Sequence, residues 1–192
     1  MASSIVLIAP EAEPVTVADA MRALRIDEAD AATDLEAKLL DARERAEYLT
    51  GRALITQTRR LQLLDWPGPL AELGAAVLLD FPPVQEVAEL AYWSEGQWVT
   101  VQASALELVQ IDKIRWAVVP VSGSWPTLGS KAGHRVRVDF VCGFGPAGDS
   151  VPEPIRQWIT TVAGHAWSDP TASGDAPNEY IDRRLDGWRV WL

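Results

Sequence analysis

The apolar positions of this chain change their spacing twice. Between Pro14 and Gly51 they recur every three or four residues, the period of a helix with one buried face. Thr16 is placed to cap a first helix, and Asp19 three residues on completes a capping box at the positive end of the dipole. Ala20, Met21 and Leu24 then share one face. A second helix is predicted from Leu35, Leu39, Ala42, Ala46 and Leu49, with Thr33 as its cap, Glu36 closing the box and Gly51 at a left-handed end. Lys38, Asp41, Arg43, Glu44, Arg45 and Glu47 fall on its other side, predicted as a solvated or subunit-facing surface.

From Arg52 to about Gly148 the period shortens to two. Strands are predicted over 56–63, 77–81, 84–93, 98–101, 114–119 and 135–141. Ser94-Glu95-Gly96-Gln97 reads as a hairpin turn, and the last strand puts Val136, Val138, Phe140 and Cys142 on one face. Helical spacing returns after Val151-Pro152-Glu153-Pro154, where proline costs a first turn no hydrogen bond, with Ile155, Trp158, Ile159, Val162 and Ala166. Ser168 to Asn178 is a polar linker, and Ile181, Leu185, Trp188 and Leu192 beyond it fall at helical spacing. The opening Ile5-Val6-Leu7-Ile8 lacks the basic start of a secretion signal and is followed at once by Pro10-Glu11; it reads as a strand or an extended arm.

These pieces predict an α+β fold: a small helical bundle with an inserted antiparallel β-sheet or small sandwich and an extended C-terminal tail. The expected divisions are 1–55 for the arm and first two helices, 56–148 for the β insertion, 149–168 for the third helix, and 169–192 for linker and tail.

Composition narrows the function. One cysteine rules out an intramolecular disulfide, and with two histidines it is too little for a structural zinc site. No run approaches the roughly 18 apolar residues that span a bilayer, so no membrane role is expected. The net charge of -10 gives no counterion-release gain on phosphates, which argues against free-standing DNA binding. Residues 1–50 carry eleven Asp or Glu against five Lys or Arg; this serves solubility, or forms a wall that DNA passes without sticking.

Two chemical readings are weak. Gly143-Phe144-Gly145-Pro146-Ala147-Gly148 matches a dinucleotide-binding glycine pattern, the basis of an alternative reading as a small nucleotide-binding protein or enzyme. Its strand does not open a βαβ unit, Pro146 removes an amide that would face a pyrophosphate, and the following helix starts late. Cys142 with His134 or His165 is a conceivable nucleophile and base, but the thiol sits on an apolar strand face, where it is inert packing. No catalytic, cofactor or metal residue is therefore predicted. A third reading is a non-viral cytosolic interaction protein.

Nine tryptophans are many for this length. Trp93, Trp98 and Trp116 alternate within strands. Trp188 and Trp191 instead follow the linker among Arg183, Arg184 and Arg189, residue types enriched at interface hot spots. That end either docks on its own domain or meets an external partner.

In this order the pieces resemble the phage head-tail connector family, in the adaptor branch found in siphophages, prophages and gene transfer agents. Four stretches carry the likeness: Glu13 to Asp27; Ala42 to Thr58; Pro82-Pro83-Val84-Gln85-Glu86-Val87; and Val138 to Gly145 followed by Val151 to Gln157. Trp188-Arg189-Val190-Trp191 is similar to the family's ending. Residues 68–76 and 106–131 follow no family pattern. The resemblance implies a ring, usually of twelve copies, between the portal and the next tail-side (stopper) protein, with DNA only as passing cargo. The chain is then expected at a particle's head-tail junction, and in the host cytoplasm before assembly. It carries over no catalytic residue or cofactor. On this reading Ile181, Arg184, Leu185, Trp188, Arg189, Trp191 and Leu192 are candidate portal contacts, and Arg43, Glu44 and Glu47 candidate subunit contacts.

Overall fold

The structure is a computed structural model that describes residues 4–27, 31–169 and 179–190. It forms two compact units, one of Met1–Ala9 with Gln57–Gly143, the other of Pro10–Thr56 with Phe144–Leu192.

The first unit holds the sheets. β1 (Ile5–Ile8), β2 (Gln57–Leu63), β4 (Val84–Ser94), β5 (Gln97–Thr100) and β8 (Val136–Cys142) form an antiparallel sheet in the order β1-β2-β8-β4-β5. Its centre is β8, where Val136, Val138, Phe140 and Cys142 are all fully buried, as their alternation predicts. On the next position Asp139 faces Arg60 of β2 across the ladder and accepts two hydrogen bonds from it, at 2.6 and 2.5 Å. The hairpin from β4 to β5 has a two-residue loop, and Glu95 and Gly96 both take positive φ, the geometry that matches the twist of the flanking strands.

β3 (Val77–Leu79), β6 (Leu106–Gln110) and β7 (Trp116–Pro120) make a second antiparallel sheet, ordered β3-β7-β6. β6 lies where no strand is predicted. Leu106 and Leu108 flank Glu107 there, but Val109 breaks the alternation, the strand has only five positions, and none is fully buried.

The second unit holds the helices: α1 (Val17–Leu24), α2 (Ala31–Thr50), α3 (Glu153–Ser168) and a short α4 (Glu179–Asp182) running into a 3-10 turn, Arg183–Trp188. Thr16 caps α1, its hydroxyl oxygen accepting the Asp19 N–H at 3.1 Å. Gly51 ends α2 at φ 65°, its N–H on the Glu47 carbonyl. Thr33 does not cap α2. The helix already runs from Ala31, so Thr33 is inside its first turn and exposed; Ala31 and Ala32 are strong helix formers and carry the helix past the expected start. Leu35, Leu39, Ala42 and Ala46 of α2, with Ile155, Trp158, Ile159 and Ala163 of α3, form the core of this unit together with Ile181 and Leu185.

Candidate interaction surfaces

One guanidinium organises the acidic side of the helical unit. Arg43 of α2 donates Nε–H to Glu13 at 2.9 Å and Nη1–H to Glu47 at 3.1 Å. Glu47 in turn accepts the backbone N–H of Leu54 at 2.9 Å, so the segment before α1 and the chain leaving α2 are tied to one cation. Burial pushes the Glu13 carboxyl above its usual range, against the pull of Arg43. Arg43 and Glu47 are only 6% and 7% exposed. Their spacing predicts a solvated or subunit-facing surface, but they point into their own chain, because Glu13, thirty residues away, supplies an internal partner. Of the three candidate subunit contacts, Glu44 alone has a mostly exposed side chain.

Next to this network an open cleft of about 740 Å³ is lined by Glu11, Glu13, Asp19, Glu36 and Asp149, with Arg156 the single cation. Pro146, Ala147 and Gly148 of the glycine-rich turn form part of its wall. Five carboxylates beside that turn oppose a phosphate. Its glycines answer to packing instead: a Cβ on Gly148 would come within 2.7 Å of the Pro14 carbonyl oxygen and 2.9 Å of that of Glu13. Phe144 N–H and the Gly145 carbonyl pair with Leu54 and Thr56, stitching the turn to the end of α2's exit.

The conceivable nucleophile and its candidate bases differ in exposure. Cys142 is fully buried, with its thiol 3.8 Å from the Gln57 carbonyl oxygen. His134 and His165 are exposed. Among the described residues no group of three or more His, Cys, Asp or Glu is placed to hold a metal ion, and no helix is long and apolar enough to cross a membrane. The strand tryptophans pack within the sheet unit. Trp93 and Trp98 meet edge to face at 5.7 Å across the hairpin with Lys131 4.3 Å over each ring, and Trp66 stacks on Trp125 at 4.5 Å.

The C-terminal segment takes the first of its two alternatives. Leu185 is fully buried and Ile181 9% exposed, both inside the core of the helical unit, and Trp188 packs against that core, edge-on to Phe144 at 6.2 Å. Asp182 accepts a hydrogen bond from Arg45 at 3.0 Å, and Val190 N–H bonds the Thr50 carbonyl at 2.8 Å. The segment is not an extended tail, and Ile181 and Leu185 have no surface left to offer a portal: the helical spacing that marked an apolar face is satisfied within the chain. Arg184 is exposed and Arg189 half-buried beside Asp186. Trp191 and Leu192 lie outside the described residues, as does most of the predicted linker.

No family model matches the sequence, and no curated protein matches it. Solved structures do. A chain from the neck of an empty gene transfer agent particle, determined with C6 symmetry, superposes with a TM-score of 0.81 at 23% identity, over 99% of this chain and 96% of that one. A chain from the virion of the native gene transfer agent gives 0.79 at 23% identity, over 98% and 96%. A third, from the native neck with C12 symmetry, gives 0.73 at 24%, over 100% and 96%. These likenesses show a shared fold over nearly the whole length of the chain.

Proposed function

We propose that this protein is the adaptor of a head-tail connector, a structural subunit that forms a ring between the portal and the next tail-side protein and leaves a conduit for DNA. The observation that carries this is the end-to-end likeness to chains of the gene transfer agent neck, whose necks were determined with C6 and C12 symmetry. A cyclic ring of twelve copies fits that symmetry. The chemistry of the chain is consistent with it. An acidic subunit gives the bore a wall that does not retain phosphates, and the glycine turn beside five carboxylates suits packing better than nucleotide binding. Before assembly the chain is held in the host cytoplasm.

With Ile181 and Leu185 used internally, the portal contact of this proposal falls to Arg184, Trp188 and Arg189, and to Trp191 and Leu192 by their residue type. Removing the gene from a particle-producing strain tests the reading. DNA-filled heads without joined tails, restored by the intact gene, support it; fully assembled particles in its absence reject it.

A further inference from the structure

We infer that β1 is a contact between copies of this chain, and that it seats on the Leu40–Tyr48 face of α2 in the next copy; this rests on the ring reading above. Among the described residues β1 is an edge strand, paired on one side only, to β2. Ile5, Val6, Leu7 and Ile8 are 54%, 46%, 41% and 61% exposed, so both faces of the strand are open and apolar. Edge strands are ordinarily guarded by charge, proline or a covering element. Here no charged residue occurs between Ser4 and Pro10. Nor is the strand loosely held. Ser4 N–H donates to Asp80 at 2.8 Å, Arg59 donates to the Ser4 hydroxyl at 2.7 Å and to its carbonyl at 3.1 Å, and that guanidinium rests 3.6 Å over Phe81. A pre-ordered apolar strand loses little entropy on docking.

A ring of like copies supplies the occupant, because each contact around it is made with a second copy of this chain. Copies that each carry -10 repel wherever charged surfaces meet, so the contact between them belongs on uncharged ground. A closed ring also needs two unlike faces on each subunit. The second face is on α2, where Leu40 and Tyr48, eight residues apart on one side of the helix, are 40% and 84% exposed. Glu44 stands between them, and β1 brings no carboxylate against it. The apolar area on β1 is on the order of a few hundred Å². A stable pair buries roughly 800 Å² per partner, so the contact is weak for two free copies and is completed where a template gathers them.

Cysteine trapping tests this, because native Cys142 is fully buried and silent. The double variant Ile8→Cys/Tyr48→Cys is oxidised mildly at high concentration in about 0.5 M salt, where the Debye length is only a few ångströms. It should give a non-reducing ladder of dimers, trimers and larger species, while neither single variant goes beyond dimers. Adding Val6→Lys, or independently Leu40→Lys, should reduce the ladder at least about tenfold. The inference is overturned if Ile8→Cys alone yields as much product as the double variant, or if Tyr48→Cys paired with the equally open Leu64→Cys gives an equal ladder. Absence of the chain from purified particles sinks the ring reading instead, and the ladder in solution still decides the contact.

Discussion

Arg52 donates its Nε–H to the carbonyl oxygen of Trp188 at 2.6 Å. The two residues are 136 positions apart, and the bond locks the C-terminal turn against the end of α2. Arg52 is only 7% exposed, and burial pulls its guanidinium below the ordinary value, so the carbonyl it holds is part of a closed interior.

Removing the C-terminal segment should therefore unfold the helical unit. Leu185→Ala is expected to cost about 2–5 kcal/mol, the range for a fully buried leucine, and truncation after position 178 to cost more. Urea denaturation followed by tryptophan fluorescence measures both. A truncated chain with unchanged midpoint would show that the segment is held without contributing.

Arg43 should behave as the hydrogen-bonding partner of two carboxylates, Glu13 and Glu47, with Glu44 a more exposed third ion-pair partner at 3.6 Å. Arg43→Met is expected to destabilise the chain by about 3 kcal/mol near neutral pH, because Glu47 and Glu13 are left charged without their cation. Glu13 already has a raised pKa, so its contribution is complete below the unfolded value and is lost as pH rises through the folded one. Removing Arg43 raises it further. The penalty of the variant should shrink as the pH falls and Glu13 takes up a proton. Denaturation near neutral pH and at lower pH checks the sign.

The two glycine positions give a contrasting pair. Gly148→Ala drives a methyl into the Pro14 and Glu13 carbonyls and should cost about 1–3 kcal/mol. Gly187 has open space around its Cβ position and no positive φ, so Gly187→Ala should be neutral or gain about 0.5 kcal/mol. Thermal melts of both, with and without added nucleotide, should show no nucleotide-dependent shift in either variant or in the parent chain.

Much of this was legible in the chain because the deciding forces are local. The alternation of Val136, Val138, Phe140 and Cys142, the α2 stripe, the Gly51 end and the two-residue turn at Glu95-Gly96 all follow from periodicity and backbone sterics. Where the partner is distant in the chain, local spacing does not decide. Arg43 and Glu47 flank the buried Ala42 and Ala46, and only Glu13, brought alongside by the fold, turns them inward. Ile181 and Leu185 showed their apolar face plainly, but spacing along a helix says nothing about which surface it meets. β6 is not legible in the sequence because five residues, three half-buried and two exposed, carry too little pattern to separate strand from loop.

Asp112 offers a separate titration. Its carboxylate accepts from the Arg115 side chain at 2.6 Å and from the backbone N–H groups of Ile114 and Arg115 at 2.8 Å each, and its pKa is pulled down to about 2. The stability it adds is present above its ordinary value of 3.8 and is lost as pH falls through about 2. Arg115→Gln should move the Asp112 titration up toward 3.8, short of reaching it because the backbone donors remain. Carbon-detected NMR of the carboxyl group reads the shift directly.

The connector reading is tested most directly by cryo-EM of the head-tail junction in particles from the strain that encodes this chain. A ring of twelve copies directly below the portal, each copy fitting both units of this fold, is the predicted result. A junction whose density below the portal is fully accounted for by other proteins would contradict it.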